Sequence, residues 1–297
     1  MKSGLILLNK REGVTSQRAV SEIKRLFGAS AAGHTGTLDP MATGVLPILL
    51  GRAVKASEYL VCADKHYRAV LRLGLTSDTE DAFGTLEPSG VPLPTEEAVL
   101  ATAARFVGEL SQTPPMYSAI KIGGKKLVDL AREGIEIERP ARTVSVFSLT
   151  CRRLSESDYA LDVHCSKGTY IRTLCADIGK ALGCGGVMAA LCRTEAVGYP
   201  LEATHTLEEL SAMTEAEREG CVIATEALFS RYPAVTLPPF FARLGRAGVE
   251  LYLKKLGIRA AQGDRVRLYD GATFFALGEV RPFADGLAIK PIKQFDL

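Results

Sequence analysis

The sequence predicts a mixed α+β protein, with a mixed, largely antiparallel sheet flanked by helices over residues 1–232 and a small β-barrel over 233–297. Three observations predict it. Period-two alternation marks half-buried strands, apolar residues recur at helical spacing behind threonine and serine caps, and the two kinds of segment interleave through hairpin-like turns. Such interleaving favours a mixed sheet with helices on its faces over a doubly wound parallel one.

Leu5 to Leu8 reads as a short buried strand, and Thr15 and Ser16 cap a helix carrying Val20, Ile23 and Phe27, stopped by Gly28. From Gly33 to Gly51, GHTGTLDPMATGVLPILLG contains too many glycines and prolines for a regular helix and reads as a structured loop. His66 to Leu73 alternates as a strand, TSDTEDAFG (76–84) reads as an exposed acidic loop, and Thr95 caps a helix with Val99, Ala103, Phe106 and Leu110 inward. MYSAIKI, the turn Gly123–Gly124 and KKLVDLAREG form a second strand, turn and helix, closed by Gly134. Alternation returns at Tyr159, Leu161, Val163 and Cys165. SKGT then leads into a helix with Ile171, Leu174, Cys175, Ile178 and Leu182 buried and Arg172 on its first turn. PAVTLPP (233–239) reads as a linker, beyond which three or four short strands turn at Asp270–Gly271 and Asp285–Gly286.

The bulk numbers exclude several classes. With 47% hydrophobic and 24% charged residues among 297, the chain is globular rather than disordered. Net charge is only +2, but residues 234–297 carry ten Lys/Arg against six Asp/Glu, while 200–226 hold seven Glu against one Arg. A basic appendage of that kind can track phosphates. The seven cysteines (62, 151, 165, 175, 184, 192 and 221) form no C-x-x-C pair, so neither zinc nor a disulfide framework is indicated, and they read as small core residues in a reducing compartment. No run is long and apolar enough for a signal peptide or a membrane span, which predicts a cytoplasmic protein with no membrane partner.

Nucleotide-cradling glycine motifs are absent, and the four histidines are too scattered for a metal site or a nucleophile–histidine–acid arrangement. Any chemistry therefore rests on Asp39. It reads either as a turn aspartate holding backbone N–H groups or as a functional carboxylate, and the second reading needs a cation to keep it ionised. Arg172 is a candidate, because an arginine at a helix N-terminus opposes the dipole and implies something negative nearby. Tyr67 reads as a core-edge tyrosine and His34 as a loop histidine when each is taken alone.

GHTGTLDPMATGVLP closely resembles the signature of the TruB family of pseudouridine synthases, which isomerise a T-loop uridine (position 55) of tRNA. DKHYRAVLRLG, QTPPMYSAIKIGGKKLVDLAREG, VHCSKGTYIRTLCADIGKALGCG and LCRTEAVGY are similar in the same order, and FFALGEV looks like part of a PUA-type RNA-binding barrel. The resemblance implies the pseudouridine synthase fold, with Asp39 as catalytic aspartate, Tyr67 stacked on the target base and Arg172 paired with the aspartate. It places His34, Gly36, Lys121, Tyr170, Leu191 and Lys167 against the RNA, with no metal and no cofactor. The partner is then the tRNA T-stem-loop, bound by a monomer without a guide RNA; the alternative is a non-catalytic RNA-binding or tRNA-folding protein on the same scaffold. Arg172 close to Asp39 would lower the carboxyl pKa. Met41, Val128 and Cys192 depart from the family pattern, where leucine, an aromatic and a basic residue are usual.

Overall fold

A computed structural model describes residues 3–61, 63–118 and 120–295. Cys62 and Ala119 of the predicted MYSAIKI strand lie outside them. Along the chain run β1 (Gly4–Lys10), α1 (Ser16–Leu26), β2 (Ala32–His34), β3 (Thr43–Leu50), α2 (Ser57–Leu60) and β4 (Lys65–Leu73). The hairpin β5 (Leu75–Ser77) and β6 (Leu86–Pro88) follows, then α3 (Glu96–Ala104) and β7 (Gly108–Gln112). A small hairpin, β8 (Lys121–Ile122) and β9 (Lys125–Lys126), leads into α4 (Leu127–Arg132). Next come β10 (Arg142–Arg153), β11 (Asp158–Cys165), α5 (Ile171–Ala181), β12 (Gly186–Ala196), β13 (Tyr199–Pro200), α6 (Leu207–Ala212), α7 (Glu215–Gly220) and β14 (Ile223–Ala224).

Ten of these strands form one sheet in the order β14-β1-β3-β12-β4-β11-β10-β7, with β2 on β3 and β13 on β12. Every pairing is antiparallel except β3 with β12, so the sheet is mixed and largely antiparallel as predicted. Thr15 caps α1 by accepting from the Arg18 N–H, and Thr95 caps α3 in the same way from Ala98. The inward residues of α1, α3 and α5 pack with Ile6, Leu8, Leu46, Ile48, Leu71 and Leu161 in the main core.

The strand β3 corrects the reading of residues 33–51 as a loop. Pro47 and Gly44 exclude a helix, but the run from Val45 to Leu50 is fully buried in mid-sheet. Leu46, Ile48 and Leu50 face the main core, while Leu49 joins Leu5 and Leu7 in a second core on the other face. A strand covered on both faces reads as a continuous apolar run rather than an alternating one. Gly44 must be glycine: its φ is +97°, and a Cβ there would lie 2.3 Å from the Arg193 carbonyl oxygen across the parallel pairing.

The second core joins the main sheet to the C-terminal unit, since Phe229, Leu277 and Phe295 pack on Leu5, Leu7 and Leu49. That unit holds β15 (Ala234–Leu237), α8 (Pro239–Arg246), β16 (Leu251–Tyr252), α9 (Leu253–Leu256), β17 (Arg265–Asp270), β18 (Thr273–Phe283) and β19 (Gly286–Gln294). Its strands curl into a half-barrel in the order β15-β17-β18-β19-β16. PAVTLPP is thus mostly strand rather than linker, because β15 pairs in parallel with β17 and Pro239 opens α8. Arg265 stacks over Tyr59 at 5.5 Å, tying the half-barrel to α2.

Two further expectations change. The α3 stripe ends at Ala103, and Leu110 lies on β7 instead. Among its described residues, MYSAIKI supplies only the two-residue β8, whose partner across Gly123–Gly124 is β9, so the turn closes a hairpin before α4 begins. Cys165, Cys175 and Cys184 are buried and Cys151, Cys192 and Cys221 partly so, all as free thiols. Among the described residues, no helix is long and apolar enough to cross a membrane.

Candidate active site

The segment between β2 and β3 carries Asp39, and two buried cations fix its backbone. Lys10, 1% exposed at the end of β1, donates to the carbonyls of Pro40 (3.1 Å), Val14 (2.7 Å) and Arg11 (2.9 Å). Arg193, also 1% exposed, donates from Nε to Val45 (2.7 Å) and from its terminal nitrogens to Gly36 (3.1 Å) and Thr37 (3.5 Å). The Ser16 hydroxyl both donates to the Leu38 carbonyl and accepts from the Leu38 N–H, each at 2.8 Å. With Leu38, Met41 and Ala42 buried beneath, the loop is a rigid shelf.

On that shelf Asp39 meets Arg172. The guanidinium Nε lies 3.0 Å from Oδ2 of Asp39, and a terminal nitrogen donates to Oδ1 at 3.4 Å. Arg172 also donates to the carbonyls of Thr79 (3.1 Å) and Tyr117 (2.8 Å), and it lies 3.8 Å from Asp81. Its side chain is 5% exposed, against 33% for Asp39. An arginine in the first turn of α5 opposes the helix dipole, and the two carboxylates offset that cost. The carboxylate that remains open to solvent is therefore held in one orientation by a buried cation that two carbonyls also anchor.

The segment 76–84 is exposed at Thr76, Asp78 and Phe83, as its composition suggests, but not at Asp81. Asp81 is 6% exposed and accepts from the Thr79 hydroxyl (2.7 Å) and the Phe83 N–H (3.0 Å). Paired acids need not face water when a buried guanidinium awaits them.

The protonation of Asp39 also differs from expectation. Burial raises its pKa above the ordinary 3.8, the Arg172 guanidinium pulls against that, and the Asp81 charge adds to it. Desolvation outweighs the ion pair. Burial likewise pulls Lys10 down to about 8, with Asp39 resisting, so the folded chain loses this ammonium charge as pH rises through about 8.

Tyr67 is 8% exposed on β4, opposite Arg193 on β12. Burial pushes its phenol above the ordinary value, while Arg193 pulls it back and Asp39 is close enough to be felt. Leu191 lies two residues before Arg193 and packs in the same core as Tyr67. His34 ends β2 with its Nδ1 buried and unpartnered, and burial followed by Arg193 lowers its pKa. A Cβ at Gly36 would sit 3.5 Å from both Arg193 Nη1 and Lys65 Cε, ordinary contact that does not by itself demand glycine.

The other three positions lie further out. Tyr170 precedes α5, exchanges hydrogen bonds with the Gln112 amide (3.0 and 3.2 Å), and carries the Arg142 guanidinium 4.9 Å over its ring. Lys167 is exposed in the turn before α5, and Lys121 is exposed on β8. The structure thus gathers Asp39, Arg172, Tyr67, His34, Gly36 and Leu191 about the shelf, with Tyr170, Lys167 and Lys121 on flanking segments. Sequence reasoning missed Asp81 and the supporting Lys10. The available signal for Lys10 and Arg193 was a lone cation at an inward-facing strand position.

The TruB family pseudouridylate synthase N-terminal domain model matches residues 24–171, and the tRNA pseudouridylate synthase B C-terminal domain model matches 172–230. The chain is 43% identical to tRNA pseudouridine synthase B of Chromohalobacter salexigens, over 94% of this chain and 92% of the relative. It is 45% identical to the protein of that name from Azoarcus sp., over 93% and 90%. Among solved structures, a chain of an H/ACA RNP bound to a substrate RNA containing 2'-deoxyuridine superposes with TM-score 0.71 at 26% identity, over 99% of this chain and 85% of that one. The chain belongs to the TruB family of pseudouridine synthases.

Proposed function

We propose that this enzyme converts the T-loop uridine of tRNA, position 55, to pseudouridine, with Asp39 as the catalytic carboxylate. The observation that carries this reading is a single solvent-reachable acid fixed on a rigid shelf by a buried, anchored guanidinium. The target base of a folded RNA loop must first be flipped out of its stack. In the isomerisation the N1–C1′ bond breaks, the uracil turns, C5 bonds to C1′, the C5 proton leaves and N1 gains one. Atoms and electrons balance within one molecule, so the protein has only to bind, orient and move protons.

Tyr67 supplies the flat face for the flipped base, a contact worth about 1–3 kcal/mol. Its raised pKa keeps the phenol protonated at neutral pH. His34 wedges the loop, Leu191 walls the base pocket, and Gly36, Lys121, Tyr170 and Lys167 contact the flanking RNA. Residues 233–297 form a PUA-like RNA-binding unit, consistent with ten basic against six acidic side chains over 234–297. The higher identity to the synthase B relatives than to the RNP chain favours tRNA as the substrate without a guide RNA, and the same reading takes the enzyme as a monomer acting in the cytoplasm.

A tRNA transcript tritiated at uridine C5 tests the proposal. Tritium release with pseudouridine mapped to position 55 is expected, and a transcript with cytidine at 55 stays inert. No release, or undiminished release from the cytidine transcript, overturns the assignment.

Asp81→Asn makes a second, finer test. The amide oxygen still accepts from Thr79 and Phe83, but the like charge that raises Asp39 is gone. The acid limb of the pH–rate profile therefore moves to lower pH, while the rate at neutral pH falls by about tenfold as Arg172 loses an anchor. A limb that stays in place refutes the coupling.

A further inference from the structure

We propose that Glu80, gripped by the Thr173 hydroxyl, is a positioning residue that presses the 79–81 segment onto α5 and so sets Arg172 against Asp39. The inference rests on the reading of Asp39 given above. Among the described residues, Glu80 and Val197 are the two non-glycine residues with positive φ, Glu80 at 63°. Glycine adopts that conformation without strain; a glutamate there must be over-determined by its surroundings.

Both its backbone and its side chain are pinned. The Glu80 carbonyl accepts from the Met188 N–H (3.1 Å), and the Ala82 N–H donates to the Met188 carbonyl (3.0 Å), stitching the segment to β12. The Thr173 hydroxyl, 5% exposed and next to Arg172 on α5, donates to Oε2 of Glu80 at 2.6 Å. On either side of Glu80, the Thr79 carbonyl and the Asp81 carboxylate both face Arg172. The left-handed turn sends residue 80 to α5 and its neighbours to the guanidinium. A glycine would make the turn but could not hold the helix, so the side chain is what the strain secures.

The test measures single-turnover pseudouridine formation and tRNA affinity for full-length variants, each below its melting temperature. Glu80→Gly relieves the backbone strain yet lowers the rate by about 10- to 100-fold with little change in affinity, and Thr173→Val does the same. Glu80→Gln and Thr173→Ser keep an acceptor and a hydroxyl and stay within about twofold of wild type, and the Glu80→Gly/Thr173→Val double variant is no slower than the slower single. Wild-type rates in Glu80→Gly, no recovery in Thr173→Ser, or multiplying losses in the double variant overturn the clamp. A wild-type protein that forms no pseudouridine instead strikes the Asp39 reading, which separates the two failures.

Discussion

Asp39→Asn lowers the single-turnover rate of pseudouridine formation by more than about 10⁴-fold, the scale on which loss of an essential catalytic group is felt. Binding of tRNA changes little, because the amide fills the same space on the same shelf. The fold survives: Arg172 keeps its bonds to the Thr79 and Tyr117 carbonyls and its proximity to Asp81. The wild-type rate has a matching pH dependence. In the proposed reaction the reacting form is the carboxylate, and burial sets its pKa above 3.8 despite Arg172. Activity is therefore complete well above that raised value and is lost as pH falls through it. An acid limb at or below the ordinary aspartate range would mean that the ion pair, not desolvation, governs the site; equal product from wild type and Asp39→Asn would remove Asp39 from the chemistry.

What the sequence disclosed and what it hid follow one physical division. Periodicity is local, so β4, β11, α1 and α5 were legible from alternation and helical spacing alone. Strand β3 was not, since Pro47 and Gly44 look like punctuation until β1 and β2 are seen to pair along the run and two cores to cover its faces. Asp81 was hidden for a related reason: an acidic segment reads as solvated unless the buried cation it meets is known, and that cation lies far along the chain. The pairing of Asp39 with Arg172 spans 133 residues; the helix-dipole argument nominated Arg172 as a candidate cation, and the family resemblance made it the partner. Spacing could not. The direction of the Asp39 shift was beyond reach as well, because desolvation depends on how tightly Leu38, Met41 and the Arg172 cradle close around the carboxylate.

Arg172→Met has the largest expected effect on stability, and its pH dependence separates the electrostatic role from mere packing. The guanidinium serves two carboxylates and two carbonyls at 5% exposure, and removing one partner of such a buried pair costs about 3–5 kcal/mol. The lower part of that range applies, since Asp39 keeps a third of its side-chain surface in water, and a melting temperature lower by roughly 10 °C is expected. The rate falls by more than about 100-fold through misplacement of the carboxylate. Without Arg172, the largest influence opposing burial is lost, so the Asp39 carboxyl rises further and the acid limb of activity moves to higher pH. Below the new value Asp39 is neutral and no longer an unpaired buried charge; the stability gap between variant and wild type therefore narrows as pH falls. Arg172→Lys keeps the charge but cannot span four acceptors from one planar fork, and it lies between the two. Adding Asp39→Asn to Arg172→Met recovers part of the lost stability, since it removes one of the stranded charges. If Arg172→Met melts like wild type, or if its acid limb does not move upward, the guanidinium is a packing element and the electrostatic account of the site fails.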